Sequence, residues 1–173
     1  FALNYSNDLD KNGHKLTADA QWEIDQETES SIITEAMSFP ELMALPNERI
    51  IQKEDSRRIL LQADYVLPFG ENQQFEAGFR WADNAQTTDY LLEEQIEFGG
   101  PYQQNQDLSN IFDFNQSIGA LYAQYGSKFG DFSFLTGLRL EHTGLKGSVE
   151  GIVGADSNAL LADLDFDKNF LGL

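Results

Sequence analysis

Apolar and polar residues alternate with a period of two along most of the chain, and helical spacing is scarce, which predicts half-buried β-strands. In HKLTADAQWEI, His14–Ile24, the residues Leu16, Ala18, Ala20, Trp22 and Ile24 share one face, and Thr17, Asp19, Gln21 and Glu23 share the other. Arg57–Leu67 sets Ile59, Leu61, Ala63, Tyr65 and Leu67 against Arg58, Leu60, Gln62, Asp64 and Val66. Phe75–Ala85 sets Phe75, Ala77, Phe79 and Trp81 against Glu76, Gly78, Arg80 and Ala82. In Phe132–His142, Phe132, Phe134, Thr136, Leu138 and Leu140 oppose Ser133, Gly137, Arg139 and Glu141. Ser117–Ser127 leaves its face open, because Ile118, Ala120 and Tyr122 compete with Leu121, Ala123 and Tyr125. Phe1–Tyr5 alternates as well, so the chain opens inside a strand and is expected to be a piece of a longer protein. The pattern predicts an all-β chain of about six strands.

The connections discriminate further. Short ones at Asn7–Gly13, Pro68–Gln74 and Lys128–Asp131 alternate with long ones at 25–56 and 86–116, always at the same strand ends. Soluble domains seldom hold structureless loops beyond about 12–15 residues, whereas outer-membrane barrels join their strands by short periplasmic turns and long extracellular loops. Strands of about ten residues also suit a tilted membrane crossing. With the short turns on the periplasmic side, Tyr65, Phe69, Phe75, Tyr125, Phe129 and Phe132 fall near the inner rim and Trp22 and Trp81 near the outer one, as interfacial girdles do. A soluble secreted β-sandwich that binds calcium or carbohydrate, with those aromatics in its core, is the alternative; it explains the alternation but not the loop asymmetry.

Composition removes several functions. The 173 residues carry a formal charge of −18, from 29 acidic and 11 basic side chains, and no cluster of Lys and Arg offers a footprint for nucleic acid. An acidic surface suits divalent cations, cationic ligands or plain solubility. With no cysteine, disulfides, a thiolate nucleophile and Cys-ligated zinc are excluded. No apolar run approaches the roughly 18 residues of a membrane helix, a test that barrel strands escape.

NIFDFNQSIGALYAQYGSKFGDFSFLTGLRLEHT, Asn110–Thr143, resembles the barrel of Bacteroidota-type TonB-dependent outer-membrane receptors, in which a strand worded like IGALYAQYGSKFGDFSFLTGLRLEHT recurs midway round the barrel. GHKLTADAQWEI is similar to that family's polar turn running into an alternating strand, and the closing KNFLGL looks like the approach to its next inbound strand. The resemblance implies an antiparallel transmembrane β-barrel portion, with residues 1–173 a fragment of one barrel domain and the plug domain and remaining strands absent. Such barrels have about 22 strands round a plug. It further implies residence in the bacterial outer membrane, contact with its lipid, coupling to the TonB complex through the missing plug region, and uptake of a bulky extracellular nutrient of siderophore, glycan or peptide class. Ligand contacts would then come from loops 25–56 and 86–116. An enzyme is not expected, since no nucleophile, base and orienting group occur together.

Individual motifs are weaker. DLDKNGHKLTAD, Asp8–Asp19, fits the calcium-loop pattern through Asp8, Asp10, Asn12 and Asp19, but the last position ordinarily takes a bidentate Glu and opens a helix rather than a strand; a solvated Asn/Asp/Gly turn is favoured. Calcium is the one cofactor this turn could hold, and none is expected. Asp163, Asp165 and Asp167 alternate and suit a solvated strand end better than a metal site. His14 and His142 are expected at the surface or rim, outside any zinc or triad spacing. Arg80, Arg139 and Glu141 occupy polar strand faces that a barrel turns to its lumen, where they can pair with one another or with a plug. LLEEQIEFGGPYQQNQ, Leu91–Gln106, has the Tyr, Phe, Gln and Asn content of a ligand-stacking loop, and GGP at Gly99–Pro101 marks a turn, not a phosphate cradle.

Overall fold

The computed structural model describes residues 1–151 and 165–173. It contains β1 (Ala2–Asp8), β2 (Lys15–Ile33), β3 (Ala36–Met37), β4 (Met43–Ala44), β5 (Glu48–Phe69), β6 (Gln73–Gln95), β7 (Tyr102–Gln104), β8 (Asn110–Phe129), β9 (Phe132–Gly151) and β10 (Phe166–Gly172). One antiparallel eight-stranded sheet runs in the order β1-β2-β5-β6-β8-β9-β10, with β7 pairing the far end of β6, while β3 and β4 form a separate two-stranded ladder. Among the described residues no helix is long and apolar enough to cross a membrane.

Each strand pairs with its neighbours along the chain, so the sheet is a meander, and the tight turns set its register. Phe129 faces Phe132 across a two-residue turn in which Gly130 takes φ +60°, the left-handed value that the first central position of a type II′ hairpin demands. The short connections lie between β1 and β2, β5 and β6, and β8 and β9; those from β2 to β5 and β6 to β8 lie at the opposite end. The predicted asymmetry is therefore present, with seven strands on the main path rather than about six. The KNFLGL segment is not an approach to a strand: Lys168–Gly172 is already paired with β9, from Lys168 opposite Leu145 to Gly172 opposite Glu141.

The long loops expected at 25–56 and 86–116 are corrected by the structure. β2 stays paired with β5 from Asp25 opposite Ser56 to Ile33 opposite Glu48, and β6 with β8 as far as Tyr90 opposite Asn110. The remaining connections span 34–47 and 96–109. Backbone groups here find partners in the ladder, and side chains reinforce it: Gln26 donates to Asp55 at 2.7 Å, Thr87 to Asp113 at 2.5 Å, and Arg57 pairs with Asp83 at 3.1 Å. β-branched Ile32, Ile33, Ile50, Ile51, Thr87 and Thr88 suit extended backbone. β6, with 23 residues, is roughly 75 Å long at about 3.3 Å per residue, more than twice the 9–11 residues or so that a membrane strand needs.

Register settles which side chains share a face. Leu121, Ala123 and Tyr125 join Phe79, Ala77 and Phe75 on the apolar face, and Ile118, Ala120 and Tyr122 turn to the polar one, which resolves the ambiguity in β8. The soluble-sandwich alternative is corrected as well, since among the described residues no second sheet covers the apolar face. Leu138 is 78 % exposed, Leu121 60 % and Trp22 53 %, and only Leu92 and Ala120 are buried apolar side chains among the described residues. A water-soluble fold of this length would bury most such residues; here they project outward in a band.

Candidate functional site

The apolar band begins at the short turns and ends where charge appears. At its lower edge Phe69 stacks on Tyr125 at 5.9 Å, Tyr125 meets Phe134 edge-on at 5.8 Å, and Phe129 stacks on Phe134 at 6.2 Å. Trp22 opposite Ile59 and Trp81 opposite Leu61 mark the upper edge; the next position of β6 on this face is Asp83, bound to Arg57. His142 stands on the same face between Gly119 and Leu171. Aromatic rings at both limits of an apolar belt are how a barrel wall meets its two membrane interfaces.

The opposite face is polar, and its chemistry changes with height. Near the short turns, Tyr122 Oη donates to Asp64 at 2.6 Å and Gln62 to the same carboxylate at 2.8 Å, while Gln74 and Gln124 both donate to Glu76. Gly78 makes the Tyr122–Asp64 bond possible, because a Cβ there would stand 2.5 Å from both side chains. Halfway up, Arg58, Arg80 and Arg139 line a hollow of about 670 Å³ together with Glu23 and Glu141. Higher still, Phe112 and Phe114 stack at 6.4 Å and Phe114 lies 6.4 Å from Phe166; Phe166 covers the bare backbone of Gly147.

The connections at the far end are organised by hydrogen bonds. Ser109 Oγ accepts from Leu92 N at 3.0 Å and donates to Leu92 O at 3.3 Å. Asn105 donates its amide to Glu94, and its oxygen accepts from Asp107 N and Leu108 N. Arg49 bonds Glu93 at 2.6 Å and lies 4.4 Å above the Tyr102 ring. Of the stretch Leu91–Gln106, Leu91–Gln95 therefore belongs to β6 and Tyr102 is held by Arg49, leaving Ile96 and Phe98 exposed at its tip. Phe39 and Leu42, each 83 % exposed, tip the 34–47 connection.

The other sequence candidates are dispersed. Asp10 Oδ1 accepts from Asn12 N at 2.8 Å and His14 N at 3.1 Å, and those two backbone donors hold its carboxyl below the ordinary 3.8. Asp19 lies within β2, opposite Asn4 and Gln62 rather than beside that turn. No group of three or more His, Cys, Asp or Glu side chains converges as metal ligands do among the described residues. His14 bonds the Tyr65 hydroxyl. Arg139 and Glu141 pair at 2.7 Å. Asp165 accepts from Val149 N, Asp167 pairs with Lys146 at 3.1 Å, and Asp163 lies outside the described residues. The polar-face aromatics Phe112, Phe114 and Phe166 escaped the sequence reading, although Phe112 and Phe114 continue the Ile118, Ala120, Tyr122 register.

A one-layer meander with an apolar, aromatic-bordered outer face and a polar inner one is the wall of a membrane β-barrel. The chain belongs to the outer membrane protein β-barrel family, whose profile matches residues 7–164. It is a protein of the bacterial outer membrane, with lipid against its apolar band. No curated protein and no solved structure matches the chain.

Proposed function

We propose that this chain forms part of the barrel wall of a TonB-dependent receptor that takes up a bulky nutrient, and that the remaining strands and a plug belong to the same native protein. The observation that carries the reading is the tall extension of the strands above the apolar band. It raises an ordered crown, tipped by the connections 34–47 and 96–109, of the kind that collects a ligand from outside rather than merely sealing a pore. The wording of Asn110–Thr143 supports the receptor class. Siderophores, glycans and peptides are the ligand classes of such receptors; the further ligand-facing features here are the polar-face hollow and the aromatic patch above it.

Fractionation of the native protein, a detergent gel before and after boiling, and nutrient uptake with and without TonB test the proposal together. Outer-membrane recovery, a compact unboiled form and uptake that stops without TonB are the expected results. Uptake that persists without TonB would replace the receptor by a passive barrel.

A further inference from the structure

We infer that the hollow around Arg80 is an anion-binding subsite, taking a carboxylate or phosphate group of the molecule that enters from outside. The inference rests on the receptor reading, which makes the polar face the ligand's path. Arg58, Arg80 and Arg139 line this hollow against two carboxylates, Glu23 and Glu141, so its side chains sum to a positive charge within a chain of −18. In a protein with so few basic residues, three arginines lining one depression, against two carboxylates, give it a local charge opposite in sign to the whole.

The neighbouring partners show why Arg80 in particular is available. A solvated arginine on a strand is ordinary, but this one stands among carboxylates already satisfied by other donors. Asp64 is taken by Gln62 and Tyr122, and Glu76 by Gln74 and Gln124. Glu141 is gripped by Arg139, and Glu23 lies 3.7 Å from Arg58. Gln62, directly opposite Arg80, turns its amide to Asp64. Asp19 sits beyond Gln62, about 10 Å away at two strand spacings. Arg80 consequently has no ion pair and no side-chain hydrogen bond among the described residues. Its planar fork is suited to bidentate capture of carboxylate or phosphate, and Arg58, in a long and exposed pair, is placed to add a second contact. The Phe112, Phe114 and Phe166 patch higher on the same face offers a surface for the ligand's apolar body.

The test is calorimetric titration of the purified native protein in detergent with citrate at low salt. Saturable binding is expected, weakened about tenfold or more by Arg80→Gln, partly restored in Arg80→Lys, and unchanged by Arg57→Gln on the apolar-face side. Heat-modifiable migration shows that each variant has assembled, and Arg58→Gln gives a second readout if Arg80→Gln does not assemble. Absence of saturable binding, or Arg80→Gln binding like the parent, overturns the inference. So does citrate displaced by a protein segment that already fills the hollow. Citrate binding without TonB-dependent uptake would retain the subsite and discard the transport reading, which separates the two failures.

Discussion

The lower and upper halves of the same strands obey different chemistry. In β6, residues Gln73–Trp81 alternate between an apolar face that meets lipid and a polar face that meets the interior, whereas Ala82–Gln95 carries Asp83, Thr87, Asp89 and Glu93 where the apolar face would continue. Hydrogen-bonded pairing runs through both halves without a break. Alternation therefore reports a difference between two environments, not the presence of a strand. Where water lies on both sides the strand persists and its period-two signature disappears.

The largest expected effect separates those halves directly. Leu121, in mid-band opposite Phe79 and Leu140, should tolerate no charge: Leu121→Arg is expected to destabilise by roughly 2–4 kcal/mol, the cost of a lipid-facing arginine near the bilayer centre. Thr87→Arg, on the same face above the band, should cost about 0–1 kcal/mol. Urea titration of the native protein folded into lipid vesicles measures both. Equal costs would mean that the apolar face does not lie in the membrane as assigned.

A second pair of substitutions contrasts the two faces within the lower half. Gly78→Val pushes a side chain into Asp64, Tyr122 and the Ala63 carbonyl and should cost about 1–3 kcal/mol as overpacking does, with the Tyr122–Asp64 bond lost. Gly119→Ala projects into open space and should stay within about 0.5 kcal/mol. The same titration compares them, and a tolerated Gly78→Val would show that the polar-face network is looser than its 2.6 Å bond suggests.

The legible part of the fold follows the same division. Turns, strand order and both aromatic rims were readable because Gly70 and Gly130 punctuate the chain and the lipid-facing half alternates cleanly. The crown was not, because Asp25–Ile33 and Glu48–Ser56 have polar residues on both faces, and only the β-branched pairs Ile32–Ile33 and Ile50–Ile51 hinted at extended backbone. Arg80 and Arg139 were assigned to the polar face from alternation alone. That they share a hollow with Arg58 depends on the combined register of β5, β6, β8 and β9, which no local pattern encodes.

Within the crown, Ser109 offers a smaller and more local perturbation. Ser109→Ala removes both of its bonds to Leu92, leaves a buried backbone donor short of a partner and should cost about 1–2 kcal/mol. The loss should appear as faster amide exchange at Leu92 and faster proteolysis within 96–109, with the heat-modifiable band unaltered. A global loss of assembly would show instead that crown and membrane band fold as one cooperative unit.

The smallest effect lies at the opposite end of the barrel, in the turn before β2. Asp10 is exposed there and its carboxyl is held below 3.8 by the amides of Asn12 and His14, with His14 adding a weaker attraction. A carboxylate whose folded pKa is depressed favours the folded turn at every pH above its unfolded value, and that contribution vanishes as pH falls through the folded pKa. The turn should thus keep its amide protection from neutral pH down to about 4 and fray only below that. Asp10→Asn retains an acceptor oxygen without the charge, so it should flatten the acid response of the Asn12 and His14 amides while leaving β1–β2 pairing intact. Exchange rates at those two amides between pH 3 and 6 or so decide the point, and an identical acid response in Asp10→Asn would place the titrating group elsewhere in the turn.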